Sequence, residues 1–325
     1  GTGTSGTSSG GGASAARRAM LHRLALATAA AAAGAAWLYL RPRRERRGAS
    51  PPDAVEVAIS PHTRFILSTS GRGSSARRYR TLLREMLHLD VVYMPISSPD
   101  GKIDPQCFAW ALRGLNAIGG AISKDIKGTV AAYLDEVEPL AARVGAVNTV
   151  VRRGDRLVGY NTDALGFEQA IREGMAGREV RTAVCYGYGG VSAVVVAVLH
   201  RMGIQVLITG RRREAAALRA KELAASPFRE GDRADLFINS APIGDSSLED
   251  VPNFLEALQG AICCFDHEMP GKKLRQYCEA NGVVHIPGTS MYWPQMSAQW
   301  TLFLDGIVEA ERVPALLREA DSRVF

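Results

Sequence analysis

TAVCYGYGGVSAVVVAVLHRMGIQVLIT, residues 182–209, decides the fold. Thr182–Tyr186 is a short apolar run that ends abruptly in Gly187-Tyr188-Gly189-Gly190-Val191-Ser192, which predicts a strand turning at once into a helix. Ala193–Met202 is Ala- and Val-rich, the composition of a helix buried against a sheet, and Val206–Thr209 reads as the next strand. Strand, glycine turn, helix and strand in that order make a corner that can cradle a dinucleotide. Gly187 permits the tight turn, Gly189 lets the backbone approach a pyrophosphate, and Ser192 is small enough for the helix to pack on the strand. The phosphates would rest on the free N–H groups of the helix start at Gly190 and Val191. The other reading is a plain strand–turn–helix corner with no nucleotide.

The end of the second strand selects among dinucleotides. An NAD site places an acid there for the ribose 2′-hydroxyl. This chain has Gly210-Arg211-Arg212-Arg213, with Glu214 only after three bases. Guanidinium groups suit a 2′-phosphate through paired charge-assisted hydrogen bonds, so Arg211 and Arg212 favour NADP. The competing reading is a solvated basic helix start, which is mildly unfavourable at a positive helix end.

Moving outward, Asp235–Asn239 and Ile262–Phe265 read as further strands of the same sheet. Between Leu223 and Arg233 no apolar run is evident to make an intervening strand. On the other side, Phe65–Leu67 is a strand ending in a Ser- and Gly-rich loop, followed by an amphipathic helix from about Arg77. Val91–Ile96 is a strand, Cys107–Leu115 a helix and Gly119–Ile122 a strand, a βαβ rhythm that argues for a parallel, doubly wound sheet. A longer helix is expected over about Thr129–Val144, then a hairpin turning at Arg153-Gly154-Asp155. Asp163 reads as the cap of the next helix. From Gly288 on, the chain is expected to be helical, with Trp300, Leu302, Phe303, Ile307 and Val308 on its apolar face.

The 325 residues carry a formal charge of +6, which suggests nucleic acid until it is divided by region. Residues 1–50 hold eight arginines against Glu45 alone, and the remainder is within one charge of neutral. The basic character therefore belongs to the N-terminal stretch, and a nucleic-acid partner is not expected. The five cysteines include no CxxC and no histidine at ligand spacing, so neither a metal site nor a disulfide framework is expected. Gly1–Gly12 reads as a flexible or fragmentary leader. Leu24–Leu40 is an Ala-rich, uncharged run flanked by arginines, with three readings: a membrane anchor, the core of a cleaved signal, or part of an organellar transit peptide of the plastid kind. As an anchor, its heavier following arginine cluster would leave the body in the cytoplasm or stroma.

An ordered set of motifs runs through the body: SKDIK (123–127), GAVNT (145–149), GYNTDALGF (159–167), GYGGVS (187–192), DLFINSAPIG (235–244) and PGTSMYWPQ (287–295). In this order they resemble the shikimate dehydrogenase superfamily over about residues 62–325, closest to its divergent shikimate-dehydrogenase-like branch. The resemblance implies a three-layer α/β substrate domain (60–163), a Rossmann NADP-binding domain (164–286) and C-terminal helices (287–325) packing back on the first, after a leader and targeting or anchor segment (1–50). It implies an oxidoreductase acting on shikimate or a quinate-like ring carboxylate. Lys127 matches the catalytic lysine and Asp163 its aspartate partner. Ser123 and Asn148 match substrate-hydroxyl contacts, and Gln295 the glutamine of the last motif.

Chemistry points the same way, because moving a hydride to a ketone leaves an alkoxide that needs a proton donor, and a lysine beside a carboxylate supplies one. Lys127 as a solvated lysine, Lys124 as its rival and Asp163 as a simple cap are the alternatives. The chain departs from the pattern in several places. Gly73 matches the first loop serine, leaving Ser70, Ser74 and Ser75 for a carboxylate. Asp125 replaces a proline, Tyr79-Arg80 a His-Asn pair, and Ser290 a glycine next to the nicotinamide. Such changes suit either a redirected enzyme or a catalytically weak sensor of metabolite or dinucleotide.

Overall fold

Alternation along each strand builds the two layers of core that flank each sheet in this chain. In the computed structural model, which describes residues 58–69, 73–98, 101–123, 126–244, 246–267 and 272–324, the first sheet begins with β1 (Arg64–Ser68). Ile66 points into one buried cluster and Leu67 into another on the opposite face. Helix α1 (Gly73–Arg80) continues as a π-helical turn over Thr81–Met86, then come β2 (Val91–Pro95), α2 (Pro105–Gly114) and β3 (Ala117–Ala121). Asp104 caps α2 through its carboxylate and Pro105 opens it, which sets the start two residues earlier than the apolar pattern suggested.

The single helix expected over 129–144 is not formed. The stretch is a 3₁₀ turn (Val130–Tyr133), a two-residue strand β4 (Glu136–Val137) and a short helix α3 (Pro139–Val144). Pro139 explains the break: it disfavours a helical conformation at Glu138, whose carboxylate instead accepts from the N–H groups of Leu140 and Ala141. The hairpin β5 (Thr149–Arg153) and β6 (Arg156–Tyr160) follows as expected, with left-handed Gly154 in its turn. Strand order is β2-β1-β3-β5-β6-β4, parallel through β2, β1 and β3 but antiparallel at β3–β5–β6, so this sheet is mixed rather than wholly parallel.

Helix α4 (Thr162–Met175) leads to the second sheet. Its elements are β7 (Thr182–Tyr186), α5 (Gly190–Arg201), β8 (Gln205–Thr209), α6 (Arg213–Glu222), β9 (Ser226–Pro227), β10 (Leu236–Asn239), α7 (Phe254–Leu258), β11 (Cys263–Asp266), α8 (Lys272–Ala280) and β12 (Val284–Pro287). The order β12-β11-β10-β7-β8-β9 is parallel throughout and is that of a Rossmann fold, with its switch point between β7 and β10. The strand missing from the sequence reading is β9. It is only two residues long at the sheet edge and needs no apolar run.

The last helices, α9 (Tyr292–Phe303) and α10 (Val313–Ser322), bury Trp300, Phe303, Leu304, Val313 and Leu317 against the first sheet. The expected apolar face is shorter than drawn: Ile307 lies beyond the end of α9 and is exposed. Helix α9 also packs on α4 at backbone distance. A Cβ added at Gly166 would lie 2.7 Å from Cβ of Gln295, so only glycine admits this approach. Among the described residues no helix is long and apolar enough to cross a membrane, and Leu24–Leu40 lies outside them.

Candidate active site

The motifs of the first lobe are tied to one another before they meet any ligand. Asn161, not Asp163, caps α4: its Oδ1 accepts from the Ala164 N–H at 3.0 Å while its Nδ2 donates to the Ala146 carbonyl at 2.9 Å. Asn148 Oδ1 accepts from the Thr162 N–H at 2.8 Å, and its Nδ2 donates to Thr162 Oγ1 at 2.9 Å. The Val147 N–H donates to the Lys127 carbonyl at 2.8 Å, fastening the lysine turn to the same framework. Freed from capping, Asp163 sits in the first turn of α4, where its charge meets the positive helix end. Its Oδ2 accepts from Lys127 Nζ at 2.5 Å, with both side chains about three-quarters out of solvent.

Lys127 stands on the wall of a cavity of about 260 Å³ that is also lined by Ser75, Ser123, Asn148 and Gln295. Ser123 is held by Thr69, which takes its N–H at 2.7 Å and accepts its hydroxyl on the backbone carbonyl at 3.1 Å. Asn148 is almost wholly buried, and its contacts to Thr162 use one of its two amide N–H groups. Ser70 and the side chain of Ser74 lie outside the described residues, as do Lys124 and Asp125.

Among the cavity residues with no role in the sequence reading are three tyrosines and a glutamine. Tyr93 donates to Ser68 Oγ at 2.7 Å, and Gln299 Nε2 donates to Thr149 Oγ1 at 2.8 Å, while Tyr292 accepts from Arg78. Tyr79, noted only as a departure, forms another wall, its ring 4.3 Å from that of Trp300. Burial raises the phenols of Tyr79 and Tyr93 above the ordinary tyrosine value, so both remain neutral hydrogen-bonding groups.

In the second lobe, β7 ends at Gly187 with φ +125°, and a Cβ there would lie 2.4 Å from Ser240 Oγ at the end of β10. Nothing would meet a Cβ at Gly189 or Gly190, so the start of α5 is an open cradle of backbone N–H groups. Ser192 is buried, its hydroxyl donating to the Gly189 carbonyl at 2.6 Å. Val191 is half-buried behind the cradle. The adjoining cavity, about 270 Å³, is walled by Gly187, Tyr188, Gly189, Gly210, Arg211 and Ser240. These residues fit a dinucleotide: backbone donors for the pyrophosphate, a slot for the adenosine and cations at its rim.

The structure also sorts the three arginines. Arg213 is committed to Glu256 at 2.5 Å and to Asn253 at 3.0 Å, whereas Arg211 and Arg212 are exposed beside the slot. Ser290 stands in a 3₁₀ turn (Gly288–Met291) after β12, its hydroxyl donating to the Pro287 carbonyl at 2.6 Å.

A Rossmann lobe with an open glycine corner, joined to a lobe whose polar cavity carries a lysine–aspartate pair, defines a two-lobed dehydrogenase. The chain is 33% identical over 227 residues to the shikimate dehydrogenase (NADP(+)) of Symbiobacterium thermophilum, spanning 63% of this chain and 77% of that protein. It belongs to the shikimate dehydrogenase family. Among solved structures it is similar to a shikimate 5-dehydrogenase-like protein (26% identity, TM-score 0.65, 82% of this chain and 99% of that one). It is also similar to a shikimate 5-dehydrogenase from Thermus thermophilus in complex with shikimate (26% identity, TM-score 0.60, 80% and 99%). No family model matches the chain.

Proposed function

We propose that this chain is an NADP-dependent oxidoreductase that interconverts shikimate, or a quinate-like ring carboxylate, with its 3-dehydro ketone. The observation that carries this reading is the contact of Lys127 Nζ with Asp163 on the wall of a polar cavity. Bound NADP supplies the hydride acceptor or donor. Lys127 holds the proton that the substrate oxygen gains on reduction and takes it back on oxidation. Asp163 orients the ammonium and balances its charge, and the α4 N-terminus holds the carboxylate in place. Ser75, Ser123, Asn148 and Gln295 provide short polar contacts for a ring with several hydroxyls, and Gln295 is set by the close α4–α9 packing at Gly166.

The division into a substrate lobe, a cofactor lobe and returning helices is part of the same proposal, as is an organellar or membrane-targeting role for residues 1–50. The test is NADP reduction followed by absorbance at alkaline pH, with shikimate and quinate in turn. Turnover is expected, and Lys127→Ala should lower kcat about 10²- to 10⁴-fold. Binding of NADP without turnover on either ring would replace the enzyme with a sensor.

A further inference from the structure

We propose that Tyr188 and Arg212 together form a recognition element for the cofactor's 2′-phosphate, so that the preference for NADP over NAD rests on an aromatic–cation pair. This deepens the NADP reading above and depends on it.

Tyr188 lies between the two glycines of the corner and forms one wall of the adenosine slot. The edge of its ring packs on the turn just after β8: a Cβ added at Gly210 would lie 2.8 Å from its Cδ1 and Cε1 atoms. Gly210 is therefore a bare patch of backbone that admits the ring. Arg212 reaches back over it, with its guanidinium carbon 5.9 Å from the ring centroid and Nε donating to Tyr188 Oη at 3.3 Å.

Two consequences follow for a ligand. The guanidinium is hung by its Nε, and among the described residues its terminal nitrogens make no other hydrogen bond, so they are presented together as a fork for phosphate oxygens. The phenol oxygen accepts from Arg212, which leaves its own O–H to donate to the same phosphate. Arg211, on the slot's rim, donates to the Pro242 carbonyl at 3.1 Å and completes the basic side. A neutral ribose hydroxyl gains far less from such a group than a phosphate dianion does. The hydrogen bond to Tyr188 and the cation's place 5.9 Å from its ring centroid also order the arginine before the ligand arrives, lowering the entropy lost on binding.

The experiment is calorimetric titration of the full chain with NADP and, separately, NAD, without substrate, for the unaltered protein and for Tyr188→Ala, Tyr188→Phe, Arg212→Gln and the Tyr188→Ala/Arg212→Gln double variant. The unaltered chain should bind NADP at least about tenfold more tightly than NAD. Tyr188→Ala should reduce that ratio about five- to tenfold, with NADP losing more affinity than NAD, which shares the adenosine slot. Tyr188→Phe keeps the packing on Gly210 and the ring near the cation but loses the hydrogen bond, and should lose about half of the effect on a logarithmic scale. The double variant should fall little further than either single one, because the two side chains act as a unit. A normal ratio in both tyrosine variants, or losses that simply add, overturns the assignment of Tyr188. An unaltered chain that does not prefer NADP overturns the cofactor reading together with it.

Discussion

Between Cys185 and Gly187 the chain passes from a buried strand to an open corner, and single side chains change character with it. Burial pushes the Cys185 thiol up to about 11 and the Tyr186 phenol up to about 12, the latter donating to the Pro252 carbonyl at 2.7 Å. Both groups are held protonated by the fold, so stability is complete below the ordinary value of each and is lost as pH rises, from about 9 to 11 for the thiol and from about 10 to 12 for the phenol. The melting temperature should therefore fall between pH 9 and 11, and Cys185→Ala should flatten that fall; an equal slope in the variant would show that the thiol plays no part. At this scale the corner glycines were legible because a turn admits few residue types. The cavity tyrosines were not, because a tyrosine on a strand or helix does not announce which face lines a cavity, and Tyr93 meets Ser68 only once β1 and β2 pair.

Elements with a strong period or a clear turn were readable, and those set by competition between signals were not. The β7–α5–β8 corner is where it was expected. The apolar positions of 129–144 suggested one helix, but Pro139 and the Glu138 cap won over that pattern. Strand β9 went unseen because an edge strand of two residues carries no periodicity. At the head of α4 the N-cap fell to Asn161 because its amide serves two carbonyl and N–H partners that a carboxylate cannot serve together. Asn161→Ala should lose the cap and orphan the Ala146 carbonyl, costing about 1–3 kcal/mol in urea unfolding. It should also lower kcat by loosening Asp163 against Lys127. Asn161→Asp, which keeps the cap but lacks the amide donor, should fall between; a stability equal to that of the alanine variant would remove the cap from the account.

Across the whole molecule, the motif order carried what local pattern could not: that the last helices belong with the first sheet. Trp300 shows how they are joined, fully buried against Tyr79, Tyr93 and Phe303 from α1, β2 and its own helix. Trp300→Ala should cost about 3–5 kcal/mol by chemical denaturation and should weaken substrate binding through the Tyr79 wall. A loss below about 1 kcal/mol would mean that the helices rest on the sheet without helping to hold it.

That return of the C-terminus also fixes an order of events during synthesis. Ile66 leaves the ribosome more than two hundred residues before Trp300, which completes its cluster. At roughly 5–20 residues per second this interval is about ten to fifty seconds. The second sheet closes on strands that are contiguous in the chain, whereas the first waits, with one apolar face uncovered, for helices translated after the whole second sheet. Of the two lobes, the one translated first is therefore the one that finishes folding later, and its open face is the nascent surface most in need of a chaperone.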